Sequence, residues 1–282
     1  MRRLLLVLLA VMIAAMPVLS GCKVTGQKKD PSEKADTQAA DTKAAESESA
    51  DAVTFEMPED KEITLYFVPD GVTVIPYYAF EDCKNLKEIT LPESVKELQN
   101  GCFEDCRALE TIILPSALES IGNYVFENCF ALRAISIPDS VKNIGEQAFA
   151  ACFALTEVRL PKGLTELKTK TFTSCSALES IELPDAMTAI GEAAFMSCRA
   201  LKTVKFGENL TSIGEQAFFE TGLEEVVLPD SVTAIGEYAF NACSSLKLLS
   251  ISKKTLDAMG LAEEMVREYL GLTNAAEIEI RP

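Results

Sequence analysis

The chain has no histidine and no tryptophan. Without histidine, the usual side chain for proton transfer near neutral pH is missing, and so is the commonest metal ligand. There is no Cys-x-x-Cys pair to replace it at a zinc site. Positive charge is scarce as well: 26 Lys and Arg stand against 43 Asp and Glu, a formal net charge of −17. Arg2 and Arg3 offset the small deficit of residues 23–55, so the imbalance falls on residues 56–282. An acidic folded part excludes nucleic acid as a partner, because phosphates need a basic footprint. No serine or cysteine nucleophile has a histidine partner, and no glycine loop of the phosphate-cradling kind occurs. The carboxylates fall at turns and exposed repeat positions, such as Asp139, Asp185 and Asp230 after a proline. Solubility and turn chemistry explain them there. These absences predict a non-catalytic protein with no cofactor and no metal.

What is present is a repeat. Phenylalanine recurs at Phe80, Phe103, Phe126, Phe149, Phe172, Phe195, Phe218 and Phe240, spaced by 23 residues and, at the last step, by 22. A fixed period of this length is the mark of a solenoid, in which no single unit can bury its apolar face alone. Prolines mark the same rungs: Pro69, Pro92, Pro115, Pro138, Pro161 and Pro184, then Gly207 in the next slot and Pro229 after a one-residue deletion. Just before each marker lies an alternation of two branched residues, such as Ile89 and Leu91, or Ile181 and Leu183. Period two ending at a proline predicts a short strand. A second apolar pair follows, such as Val141 and Ile144. Then a Gly-Glu-x-Ala-Phe stretch predicts a tight turn into a short helical turn. At strand spacing, eight rungs would stack to roughly 35–40 Å.

The ends differ from the middle. Val53, Phe55 and Met57 alternate, residues 58–61 suit a turn, and Ile63 to Val68 is again apolar. This predicts a hairpin that covers the first rung. At the other end, residues 253–271 have helical apolar spacing, and Ile278 and Ile280 repeat the strand pattern of Leu249 and Ile251. The expectation is a cap over residues 253–282, with a helix leading to a ninth strand. The solenoid itself spans residues 56–252.

The stretches Leu86 to Pro92 and Leu109 to Pro115, read as Leu-x-x-Ile-x-Leu-Pro, resemble the leucine-rich repeat. The added Ile-Gly-x-x-Ala-Phe-x-x-Cys pattern is similar to the BspA-type class of bacterial surface proteins. The likeness covers about residues 66–252. It departs at Gly207, and again at Thr221 and Gly222, where a cysteine is lost, so the seventh rung is expected to be irregular. The resemblance implies a right-handed leucine-rich repeat solenoid, strand-rich with short helical turns. It also implies a surface or adhesion-type role.

The N-terminus carries an address. Met1-Arg2-Arg3 precedes an apolar run from Leu4 to Leu19 that is short for a membrane span but suits a signal peptide. The run ends in Leu19-Ser20-Gly21-Cys22, which resembles the lipobox of bacterial lipoproteins. That likeness implies a signal peptide over residues 1–21 and lipid attachment at Cys22. Residues 22–55 are mostly polar, charged or small, too poor in apolar side chains to offset the entropy of ordering. They are expected to form a disordered tether, which would hold the folded part outside the membrane. Lys23, Lys28, Lys29 and Lys34 either touch anionic headgroups or are simply solvated.

Two sets of residues invite chemistry. Cys83, Cys106, Cys129, Cys152, Cys175, Cys198 and Cys243 share one repeat position, with Cys102 extra. In-register side chains point in parallel, so small buried thiols are expected rather than disulfides, with Cys102 the exception to watch. The outward residue of each strand runs Thr90, Ile113, Ser136, Arg159, Glu182, Lys205, Val227 and Ser250. Arg159, Glu182 and Lys205 alternate in sign. They are either a recognition patch for a protein or glycan ligand, or a ladder of mutual pairs. The expected function is non-catalytic binding by a lipid-anchored protein at the cell surface. The other reading is an envelope spacer without a ligand.

Overall fold

The computed structural model describes residues 55–282. The signal-like run, Cys22 and nearly all of the tether lie outside the described residues. From Leu65 onward the chain winds as a parallel solenoid, one turn per sequence repeat. One line of strands starts at Leu65–Phe67, Glu88–Thr90 and Thr111–Ile112, and continues to Glu225–Val227, Leu248–Ser252 and Glu277–Arg281. A second line of two-residue strands runs from Val74–Ile75 to Ala234–Ile235. Every pairing is parallel. Partners such as Ile89 and Ile112, or Ile190 and Ile213, stand one repeat apart.

The turn face forms a third line of contacts. The Phe80 N–H donates to the Cys102 carbonyl at 2.8 Å, Phe126 to Ala148 at 2.8 Å and Phe149 to Thr171 at 2.9 Å. This stretch is not helical. Two positions per rung hold positive φ, for example Gln147 (54°) and Ala151 (57°), or Ala193 (51°) and Ser197 (61°). A left-handed residue costs roughly 1–2 kcal/mol and ends any α-helix. The hydrogen bonds to the next rung compensate that cost. The Gln147 N–H reaches the Thr169 carbonyl at 3.1 Å, and the Ala151 N–H reaches the Thr173 carbonyl at 2.8 Å.

The eight phenylalanines stack down the centre, all fully buried. From Phe80 to Phe240 neighbouring rings lie 5.2–5.6 Å apart and within 14° of parallel. Each buried ring contributes about 1.5–3 kcal/mol by burial, and each stacked pair adds about 0.5–1.5 kcal/mol. The seventh rung keeps this stack despite its deletion. Elsewhere four residues run from cysteine to leucine, as in Cys198 to Leu201. Here Thr221-Gly222-Leu223 does the same job in three. The shortened turn brings Gly222 so close to the rung before that a Cβ would lie 2.4 Å from the Arg199 carbonyl oxygen.

Both caps close the core, though the first differs from the expected hairpin. Residues 55–57 form no strand, and Leu65–Phe67 pairs directly in parallel with the next rung. The end is plugged instead by side chains. Phe55 and Tyr66 meet Phe80 edge-on at 5.7 and 5.0 Å, and the Tyr66 hydroxyl donates to the Glu56 carbonyl at 3.0 Å. The C-terminal cap has the expected parts. Helix α1, Lys253–Met259, starts on a Ser252 cap and ends at Gly260, which is left-handed at φ 63°. Helix α2, Val266–Tyr269, ends with carbonyls that stand in for a further rung: Tyr269 accepts from the Tyr238 N–H and Leu270 from the Phe240 N–H. The chain then adds the expected last strand, Glu277–Arg281, the tenth of its line because Leu65–Phe67 comes first, with Ile278 opposite Leu249 and Ile280 opposite Ile251.

Candidate functional site

The cysteines of the described rungs are all free and all buried, Cys102 included. Their role is structural and repeats rung by rung. From Cys106 onward, each thiol at the shared repeat position reaches back to the phenylalanine carbonyl of the rung before: Cys106 to Phe80 at 3.2 Å, Cys152 to Phe126 at 3.2 Å, Cys198 to Phe172 at 3.1 Å. The same carbonyl also accepts from its own rung, as Phe80 does from the Cys83 N–H at 3.0 Å. A buried carbonyl can use two donors, and here it has two. Burial pushes the thiols of Cys102, Cys129 and Cys175 well above their usual range. Groups held so firmly as thiols are poor nucleophiles. At the seventh rung Thr221 takes the slot, with its hydroxyl on the Phe218 carbonyl at 3.0 Å and beside the Cys243 sulfur at 3.1 Å.

The outward strand column divides into two halves. Lys205 and Glu182 face each other on neighbouring strands and form an ion pair, which raises the Lys205 pKa. Arg159 does not join them. It turns back to Asp139 at 2.9 Å and donates to the Ile137 carbonyl at 3.0 Å. The Asp139 carboxyl is held below its usual range, chiefly by the Lys162 N–H and then by Arg159. All three candidate residues remain solvent-exposed, where such pairs contribute little to stability. The other half of the column is uncharged and carries two exposed apolar side chains: Phe67 is 66% exposed and Ile113 is 85% exposed. Thr90 lies between them and Ser136 follows. At the C-terminal end Ser250 keeps the outward register position, level with Val227 and Glu279, but is covered rather than exposed. It bonds to Glu279, and Arg281 reaches from the last strand past it to the Leu228 carbonyl and, at 2.9 Å, to Asp230.

The turn face carries features that sequence reading passed over. Phe130 and Phe153 stack at 4.9 Å with 22° between their planes, and Arg107 sits 5.4 Å from the Phe130 ring centre. A period-23 comparison at the position after the cysteine would have aligned these three residues. Nearby, Glu104 is half-buried, and its carboxyl is pushed up to about 7 by burial and then by Glu127, Glu81, Asp105 and Asp82. A shallow cavity of about 530 Å³ opens by Ser244, Ser245, Lys247 and Asn274. Its groups are largely spent. Asn274 donates to the Cys243 and Leu246 carbonyls at 2.9 and 2.7 Å, and Lys247 pairs with Glu224 at 2.7 Å. Among the described residues no group of side chains could hold a metal ion, and no helix is long and apolar enough to cross a membrane.

Stacked parallel rungs, a phenylalanine spine and a strand face with no catalytic constellation among the described residues define a leucine-rich repeat solenoid. The chain belongs to the BspA-type leucine-rich repeat family, whose model matches residues 57–179 and 165–260 in six copies. Among solved structures it is similar to a leucine-rich repeat protein from Bacteroides ovatus ATCC 8483. The identity is 26% and the TM-score 0.59, over 82% of this chain and 76% of that one. It is also similar to the leucine-rich repeat protein of T. pallidum, with 25% identity and a TM-score of 0.55, over 81% of this chain and 99% of that one. No curated protein matches the sequence.

Proposed function

We propose that the protein is a non-catalytic binding protein displayed outside the cell membrane on a lipid anchor at Cys22. It contacts a protein or glycan through the strand face. The observation that carries this reading is the exposure of Phe67 and Ile113 on one uncharged stretch of the strand column. A parallel solenoid has no packing use for large apolar side chains pointing to solvent, whereas apolar anchors carry most of the energy of many interfaces. The stretch favours a protein over a glycan on that face. Arg159, Glu182 and Lys205 continue the same column as a charged rim that would set register and specificity. The family resemblance and the signal-like N-terminus support the location. The second reading, a spacer without a ligand, draws on the internal pairing of those three charges.

The test immobilises the full-length chain and measures binding to a panel of purified secreted and cell-surface proteins and to a glycan array. The expected result is saturable binding that weakens at least tenfold in a Phe67→Asp, Ile113→Asp variant. Alanine at Arg159, Glu182 and Lys205 should weaken it less and relax its specificity. No saturable binding anywhere on the panel would favour the spacer.

A further inference from the structure

The aromatic pair on the turn face points to a second binding site, distinct from the strand face. The position after the cysteine runs Arg107, Phe130, Phe153, Ser176, Arg199 along five consecutive rungs. Phe130 has both ring faces taken, by Arg107 at 5.4 Å and by Phe153 at 4.9 Å. Phe153 has only one face covered and is 45% exposed. On its other side the ladder continues with Ser176, too short to cover a ring. The neighbours on these two rungs are small as well: Ala151 and Ala154 beside Phe153, Ser174 and Ala177 beside Ser176. One rung is therefore missing from an aromatic ladder whose spacing is already set. A ring placed there would stack on Phe153 at the distance the two phenylalanines keep from each other.

We propose that this gap takes a pyranose ring of a glycan. The argument is chemical fit. The wall is an aromatic face, which suits the apolar C–H face of a sugar. The floor carries hydroxyls: Ser174 Oγ has no partner among the described residues, and Ser176 Oγ makes only a long contact to the Phe153 carbonyl at 3.5 Å. Arg199 fills the next slot of the column; its exposed guanidinium leans to Glu220 on the rung beyond, at 3.0 Å, and has further N–H groups that a ligand longer than one ring could reach. An aromatic side chain from a peptide would fill the gap without using these polar groups. A sugar ring pairs them through its rim of hydroxyls. The site deepens the reading of the chain as a binding protein but uses none of the strand-face residues.

Saturation-transfer NMR on the full-length chain in detergent, with cellohexaose and chitohexaose as probes, tests this. The expected result is transfer to the ring C–H protons of at least one probe, with weak, saturable binding. Phe153→Ala should weaken it at least tenfold, Phe153→Trp should strengthen it a few-fold, and Ser174→Ala with Ser176→Ala should weaken it a few-fold. Phe153 is exposed, so the alanine variant should keep the parent's thermal midpoint and fold. Transfer to neither probe overturns the proposal. So does parent-like binding by Phe153→Ala. If binding survives Phe153→Ala but is lost in Phe67→Asp, Ile113→Asp, the sugar sits on the strand face. That outcome defeats this site and leaves the strand-face reading intact.

Discussion

Many residues of the described rungs repeat one job from rung to rung. The phenylalanine carbonyl accepts from the cysteine N–H of its own rung and the thiol of the next, so two invariant-looking positions serve one buried acceptor. The residues that break the uniformity are more informative, and Glu104 is the sharpest case. It is half-buried among Glu127, Glu81, Asp105 and Asp82, and its pKa rises to about 7. A carboxyl raised in the folded state holds its proton more tightly there than in the unfolded chain. Folding is therefore favoured below the unfolded value near 4.5. Stability falls as pH rises from there to about 7, and the loss persists above it. Glu104→Gln removes the charge and should stabilise the protein at pH 8 by about 1 kcal/mol, given the partial exposure of the group. At pH 4 it should give no gain. Urea midpoints at the two pH values measure the difference; an equal gain at both would mean that charge is not the cause.

At the scale of elements, the strands and spine were readable because their signals are strong and repeated. Alternation before a proline marked the strands, and the period marked the stack. The conformation of the turns was not readable. Gln147, Lys170 and Ala193 adopt the left-handed region although none is a turn-forming residue type. Hydrogen bonds to the next rung impose that shape, and a single repeat does not encode them. The first cap was misread for a related reason. Alternating Phe55 and Met57 fit a strand arm equally well as an irregular plug whose Phe55 ring meets Phe80. The charged trio was legible only as a sign pattern. Its sequence could not show that Arg159 has Asp139 within reach, one turn of chain away. The second cap was legible because its helix and strand each kept their own period. It also allows a test of how rungs share stability. Leu256 of α1 is fully buried, and Leu256→Ala should cost about 2–5 kcal/mol locally. In a stack coupled mainly to nearest neighbours, that loss should stay near the end. Amide exchange should accelerate at Val226 and Leu249 while Ile135 keeps its protection. Uniform acceleration along the chain would show a single cooperative unit instead.

For the whole molecule, charge and address combine. The folded part carries essentially all of the net −17, so an anionic membrane surface repels it and cannot serve as its means of attachment. If the protein works at a membrane, something outside the rungs has to hold it there. The proposed answer is acylation of Cys22, since one acyl chain binds only marginally and the lipoprotein resemblance implies two. Cells grown with labelled palmitate should put label into the parent chain and none into Cys22→Ser. Fractionation alone is ambiguous, because an uncleaved signal could keep the variant on the membrane. The label separates the cases: an unlabelled parent, or a labelled Cys22→Ser variant, would rule out Cys22 as the anchor and leave the acidic solenoid without a means of staying at the surface.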